Sequence, residues 1–158
     1  MEVAFSPQAP IGIKKKVRIS DELDIKFQDP TISSSTDSNS IPILFEDPFI
    51  KITECFLTIK DYFYPSALPV HIDFEKITSI KCEKQDESSS AKTWGIDNEN
   101  DCWWAKDAFR NARTDSEGYN VIITCNGKHM GFTVFDIHDF IDILKPLLND
   151  DVQISQDS

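Results

Sequence analysis

Three histidines and four cysteines are the side chains here best suited to bond-making chemistry. A thiol becomes a nucleophile when a neighbouring base takes its proton, so Cys55 or Cys125 beside His71, His129 or His138 would be the minimal constellation. The local pattern argues against it. His71 and His129 fall on polar positions of alternating stretches and His138 lies at a helix start, all places where exposed histidine is common. The cysteines at 55, 82, 102 and 125 include no CxxC pair and have no histidine at metal-ligand spacing, so they read as free thiols in a reducing compartment, and no metal is expected. The acid pairs Asp86-Glu87 and Asp150-Asp151 lie in polar composition, which makes them solvated charge rather than an acid/base dyad. Five glycines form no phosphate-binding loop. The sequence predicts no catalytic residues and no cofactor.

Binding chemistry is better represented. Trp94, Trp103, Trp104, Tyr62, Phe63 and Tyr64 are many large rings for a chain of 158 residues. Adjacent Trp103 and Trp104 on one strand must point to opposite faces, so one of them leaves the core or enters a second layer. Two outcomes stand side by side. In one, the outward ring anchors a partner, with Trp94, Tyr64 and Arg110 as its neighbours. In the other, it packs under the Ala108 to Gly118 loop or the N-terminal arm, with Asp107 and Arg110 pairing nearby. A separate cationic run, Lys14, Lys15, Lys16 and Arg18, is the one candidate lipid-binding cluster.

Charge bounds the partners. Sixteen Lys and Arg against 27 Asp and Glu leave a formal charge of -11, so a grip on phosphate backbones would work against the overall field, and nucleic acid is not expected. No stretch approaches the roughly 20 apolar residues of a membrane-spanning helix. The opening MEVAFSPQAP has neither a signal-peptide nor a transit-peptide pattern, so a cytoplasmic location is expected.

The elements that would position these residues begin near residue 41. Residues 1–40 read as an N-terminal arm with a flexible linker: the tract Ser33 to Ser40 is too polar to offset the entropy of ordering it. Ahead of the tract, Val17, Ile19, Leu23, Ile25 and Phe27 alternate, as an added strand or a segment that folds on a partner would. From 41 to 149 the chain is dense in strand patterns: 49–54, 55–64, 69–74, and 77–84, where Ile77 and Ile80 slip out of strict alternation and predict a bulge. Short strands are expected around Trp94 and Trp103-Trp104. Residues 119–125 and 128–134 flank Asn126-Gly127, a strong tight-hairpin signal. Behind Asp136, Ile137, Phe140, Ile141, Leu144 and Leu148 form one stripe of an amphipathic helix, which Pro146 kinks or ends. Residues 150–158 read as an acidic disordered tail.

Antiparallel strands followed by one helix suggest a sheet or barrel closed at one end. The motifs LTIKDYFYP (57–65), HIDFEKITSIK (71–81), TWG (93–95), CWWAKDAFR (102–110), VIITCNGK (121–128) and DIHDFIDILK (136–145), in that order, resemble a family of small, mostly uncharacterised pleckstrin-homology-like (PH-like) proteins over residues 49–148. The resemblance implies a mainly β fold, a PH-like β-barrel of about seven antiparallel strands capped by the C-terminal helix. It leaves function open, because one such frame hosts lipid binding, peptide binding and scaffolding. The chain departs from phosphoinositide-binding members in lacking a basic cluster on the first hairpin, where only Lys51 and Lys60 stand, and between 41 and 149 acids outnumber Lys and Arg by 18 to 11. The function expected is a non-catalytic interaction module that binds a protein or peptide by strand addition at an exposed edge beside the C-terminal helix. A membrane-surface or phosphoinositide-binding module assisted by the basic arm is the alternative.

Overall fold

The computed structural model describes residues 40–113 and 118–157. The chain divides into two units, Met1–Ser40 and Ile41–Ser158, and every strand described belongs to the second. The arm, with its alternating segment and its cationic cluster at Lys14, Lys15, Lys16 and Arg18, lies outside the described residues.

Four strands, β1 (Ile43–Glu46), β2 (Ile50–Thr53), β3 (Phe56–Phe63) and β4 (Leu68–Asp73), form one antiparallel meander. Alternation decides which side of it is buried: Ile50, Ile52, Leu57, Ile59 and Ile72 are almost wholly enclosed while Lys60, Asp61 and His71 face outward. Asp47 shapes the β1–β2 turn, its Oδ1 accepting from the Phe49 and Ile50 amides at 2.7 and 2.8 Å. A 3-10 turn at Phe74–Lys76 carries the chain into the second sheet.

That sheet has six strands in the order β10-β5-β8-β9-β7-β6, where β5 is Ile77–Lys84, β6 Gly95–Asp97, β7 Cys102–Trp104, β8 Tyr119–Cys125, β9 Lys128–Val134 and β10 Gln153–Asp157. The predicted bulge is present, as a register shift between Ile77 and Ser79 against β8. The Asn126-Gly127 hairpin also forms, with both residues at positive φ, 51° and 74°. The helix α1 (Ile137–Leu144) is capped by Asp136, whose Oδ1 accepts from the Asp139 amide at 3.0 Å, and it gives way to a 3-10 turn over Lys145–Leu147 that contains Pro146. Ile137, Phe140 and Leu144 are buried. They join the inner faces of both sheets in one core, where Phe140 meets Phe45 of β1 and Phe132 of β9 edge to face.

Three expectations change. The strands form two separate sheets, not a closed barrel: β9 spends its outer edge on β7 and β5 spends its outer edge on β10. Two ladders are parallel, β7 with β9 and β10 with β5, where only antiparallel pairs were expected. Residues 153–157, read as part of a disordered tail, are the strand β10. Its acidic composition concealed Val152 and Ile154, which pack half-buried against the core while β5 supplies the ladder that the backbone groups need.

Candidate functional site

The aromatic residues singled out by sequence separate onto two faces of the second sheet. Cys102 and Trp104 point one way from β7 and Trp103 the other, as alternation requires. Trp103 packs half-buried against the main core, and its Nε1 donates to the Tyr62 carbonyl at 2.9 Å. The same carbonyl accepts from Trp94 Nε1 at 3.3 Å. Tyr64 meets the Trp94 ring edge to face at 5.0 Å, and Lys106 Nζ lies 5.0 Å from that ring's centroid on its face. The end of β3 therefore gathers Tyr64, Trp94 and Trp103 around one carbonyl. The exposed part of this cluster is apolar: Tyr64 is 61% exposed, and Phe63, Leu68 and Ile96 are also open to solvent.

Trp104 lies on the opposite face and is enclosed. It forms a small second core with Cys102, Ala91 and half-buried Ile122. Its ring is pressed onto Gly131, where any Cβ would collide with the indole, and the Arg110 guanidinium stacks over it at 4.4 Å. The outward ring thus enters a second layer. Trp104 and Arg110, both proposed as contacts for a partner, are buried at 3% and 0% exposure and cannot meet one directly.

Around Arg110 runs a polar network that the sequence reading misses. Its terminal nitrogens donate to the carbonyls of Lys92 and Ala105 and to Thr133 Oγ1. The ion pair expected between Asp107 and Arg110 is made instead by Arg113, whose two terminal nitrogens reach the two Asp107 oxygens at 2.6 and 2.9 Å. Thr133 Oγ1 donates to Asp107 at 2.5 Å. Gln85 links the remaining members, donating to Asn120 and Thr133 and accepting from Arg113 at 2.7 Å. Burial acts to raise the Asp107 pKa, but the Arg113 and Thr133 bonds and the two guanidinium charges outweigh it and hold the carboxyl below its ordinary value. Burial also pulls the Arg110 guanidinium down to about 10, so it remains a cation at neutral pH. The one available signal was the presence of Asn120 and Thr133 inside otherwise apolar strands: a polar residue there needs partners, and Thr133 finds Asp107 and Arg110 in the segment 105–113 folded over the sheet, while Asn120 is met by Gln85 and Ser89.

The nucleophile candidates are not brought together. His71 Nδ1 bonds Thr58 Oγ1 at 2.9 Å, His129 Nδ1 bonds Thr124 Oγ1 at 3.1 Å, and His138 is exposed at the start of α1. Cys82, Cys102 and Cys125 are buried free thiols, and Cys55 is exposed at the β2–β3 turn. Burial pushes Cys82 and Cys102 up to about 12, which keeps them protonated and poor nucleophiles. Among the described residues no three His, Cys, Asp or Glu side chains gather in a metal-binding group, and no helix is long and apolar enough to cross a membrane.

The geometry offers docking surfaces: an apolar rim around Tyr64 and Trp94, and the outer edge of β1, which no described residue pairs with. No family model, curated protein or solved structure matches this chain.

Proposed function

We propose that this protein is a non-catalytic interaction module on a PH-like frame, and that it binds an extended protein segment by strand addition to β1. The frame is supported by strand order. A four-stranded meander (β1 to β4), a three-stranded one (β5, β8 and β9) and then α1 make seven strands and a helix, with the β6–β7 hairpin inserted and β10 appended.

The observation that carries the binding reading is the outer edge of β1. Among the described residues nothing pairs with it, and β1 packs on α1 through the Phe45 and Phe140 rings. Ile43 and Leu44 on β1, and Ile41 two residues ahead of it, are exposed at 53%, 37% and 44%. Proteins ordinarily protect such an edge with charge, proline or a covering element, because its free backbone groups template another strand. An incoming strand would satisfy those groups and cover the three aliphatic side chains.

The test is to select peptides on the immobilised full chain and titrate the winners against wild type and Ile43→Lys, following amide exchange. Binding that slows exchange along β1 and drops at least about tenfold in the variant, a loss near 1.4 kcal/mol, supports the reading. Equal affinity for both proteins would sink it. Binding of phosphoinositide vesicles by the full chain, with no peptide selected, would favour the membrane reading.

A further inference from the structure

Between the two sheets, on the side away from β5 and β10, lies a cleft of about 490 Å³. That volume falls in the range of small-ligand pockets, roughly 300 to 1,000 Å³. Phe63, Val70, Ile96, Trp103 and Met130 give it an apolar lining. The Trp103 ring is held in place by its bond to the Tyr62 carbonyl, so the wall it forms is set before any ligand arrives.

Two features give the cleft a polarity. The first is Tyr62, which lines it and is only 4% exposed. Its carbonyl is used twice, yet among the described residues nothing accepts a hydrogen bond from its hydroxyl. A phenol on the cleft wall can donate to a ligand held there. Cys102 also lines the cleft, and Cys125 stands opposite Lys128 in the β8–β9 hairpin. The second feature is Lys128, which lines the cleft together with His129 and Asp101. Lys128 makes no ion pair with any described residue. A single uncommitted cation partly balanced by Asp101 suits one negative charge better than two. In a protein of net charge -11, a cation lining an apolar cleft is a local exception to the overall field.

We infer that this cleft binds a small amphiphile with an apolar body and one carboxylate, the body lying against Phe63, Val70, Ile96, Trp103 and Met130 and the carboxylate meeting Lys128 and the Tyr62 hydroxyl. The site is separate from the β1 edge and does not rest on the strand-addition reading, so either can fail alone.

The experiment is titration of the full chain with decanoate, decanol and decyltrimethylammonium, each kept below its micelle concentration. Tryptophan fluorescence gives the affinity, and the amide shifts of Phe63, Val70 and Met130 give the location. Decanoate should bind at least about tenfold more tightly than decanol, with the ammonium compound weakest. Tyr62→Phe, which keeps the ring, and Lys128→Glu, on an exposed hairpin, should each weaken decanoate about tenfold, equivalent to 1.4 kcal/mol. Equal affinity for all three amphiphiles, shifts that map elsewhere, or undiminished decanoate binding in Lys128→Glu would each overturn the inference. The lysine variant keeps the test decisive even if loss of the tyrosine hydroxyl disturbs folding.

Discussion

Asp107 answers two guanidinium groups from a nearly inaccessible position. Asp107→Asn keeps the shape and removes the charge, leaving Arg110 and Arg113 without their counter-ion. Chemical denaturation should show a loss of about 3 kcal/mol, since breaking one side of a buried pair strands the other. The sign of the pH dependence follows from the lowered pKa. The folded carboxylate binds its proton more weakly than the unfolded one, so its contribution is complete above the ordinary value of 3.8 and fades as pH falls through the lower folded value. Acid titration of stability should therefore be shallower for the Asn variant below about pH 4. Gly131 is the second sensitive residue. An alanine there would drive a methyl group into the Trp104 indole, which Arg110 holds from the other side, and overpacking of this kind costs about 1 to 3 kcal/mol. Near-ultraviolet circular dichroism of Gly131→Ala should show a changed tryptophan signal along with the lower midpoint.

Among the elements, β10 tests how an edge is closed. Its side chains are mostly exposed and Ile154 is its one half-buried apolar residue, so its attachment rests on the parallel ladder with β5, on that contact and on the exposed Asp157 to Lys81 pair at 3.6 Å. Exposed pairs contribute little, about 0 to 1 kcal/mol, which leaves Ile154 as the discriminating side chain. Ile154→Asp should release the strand and speed amide exchange along β5, with exchange in β1 to β4 unchanged; uniform acceleration would mean that β10 supports the whole domain. The elements that the sequence makes legible are those whose signal is local. Alternating Leu57 and Ile59, the Asn126-Gly127 turn, and the stripe of Ile137, Phe140 and Leu144 behind Asp136 each declare their structure within a few residues. β1 and β10 are missed because short edge strands bury few side chains, and strands of four and five residues leave little pattern to read.

At the scale of the whole molecule, Phe140 holds the two sheets together, since the same ring meets β1 of one sheet and β9 of the other. Phe140→Ala should cost about 3 to 5 kcal/mol, and a thermal melt should lose one cooperative transition rather than a subset of strands. A strand-rich domain with one amphipathic helix near its end, its hairpin and bulge, the net negative charge and the opposed directions of Trp103 and Trp104 were all determined by sequence, because each follows from spacing along the chain or from composition. What only tertiary structure decided is what each outward face meets. Segment 105–113 folds back over the second sheet, turning Trp104 and Arg110 from surface candidates into an inner layer, while Asp107 takes Arg113 as its partner. The cleft at Tyr62 arises from β3, β4, β6, β7 and β9, brought together across more than 60 residues of chain. Residues so distant are brought into contact by burial of a shared core, an interaction that depends on total enclosed area and leaves no periodic mark in the sequence.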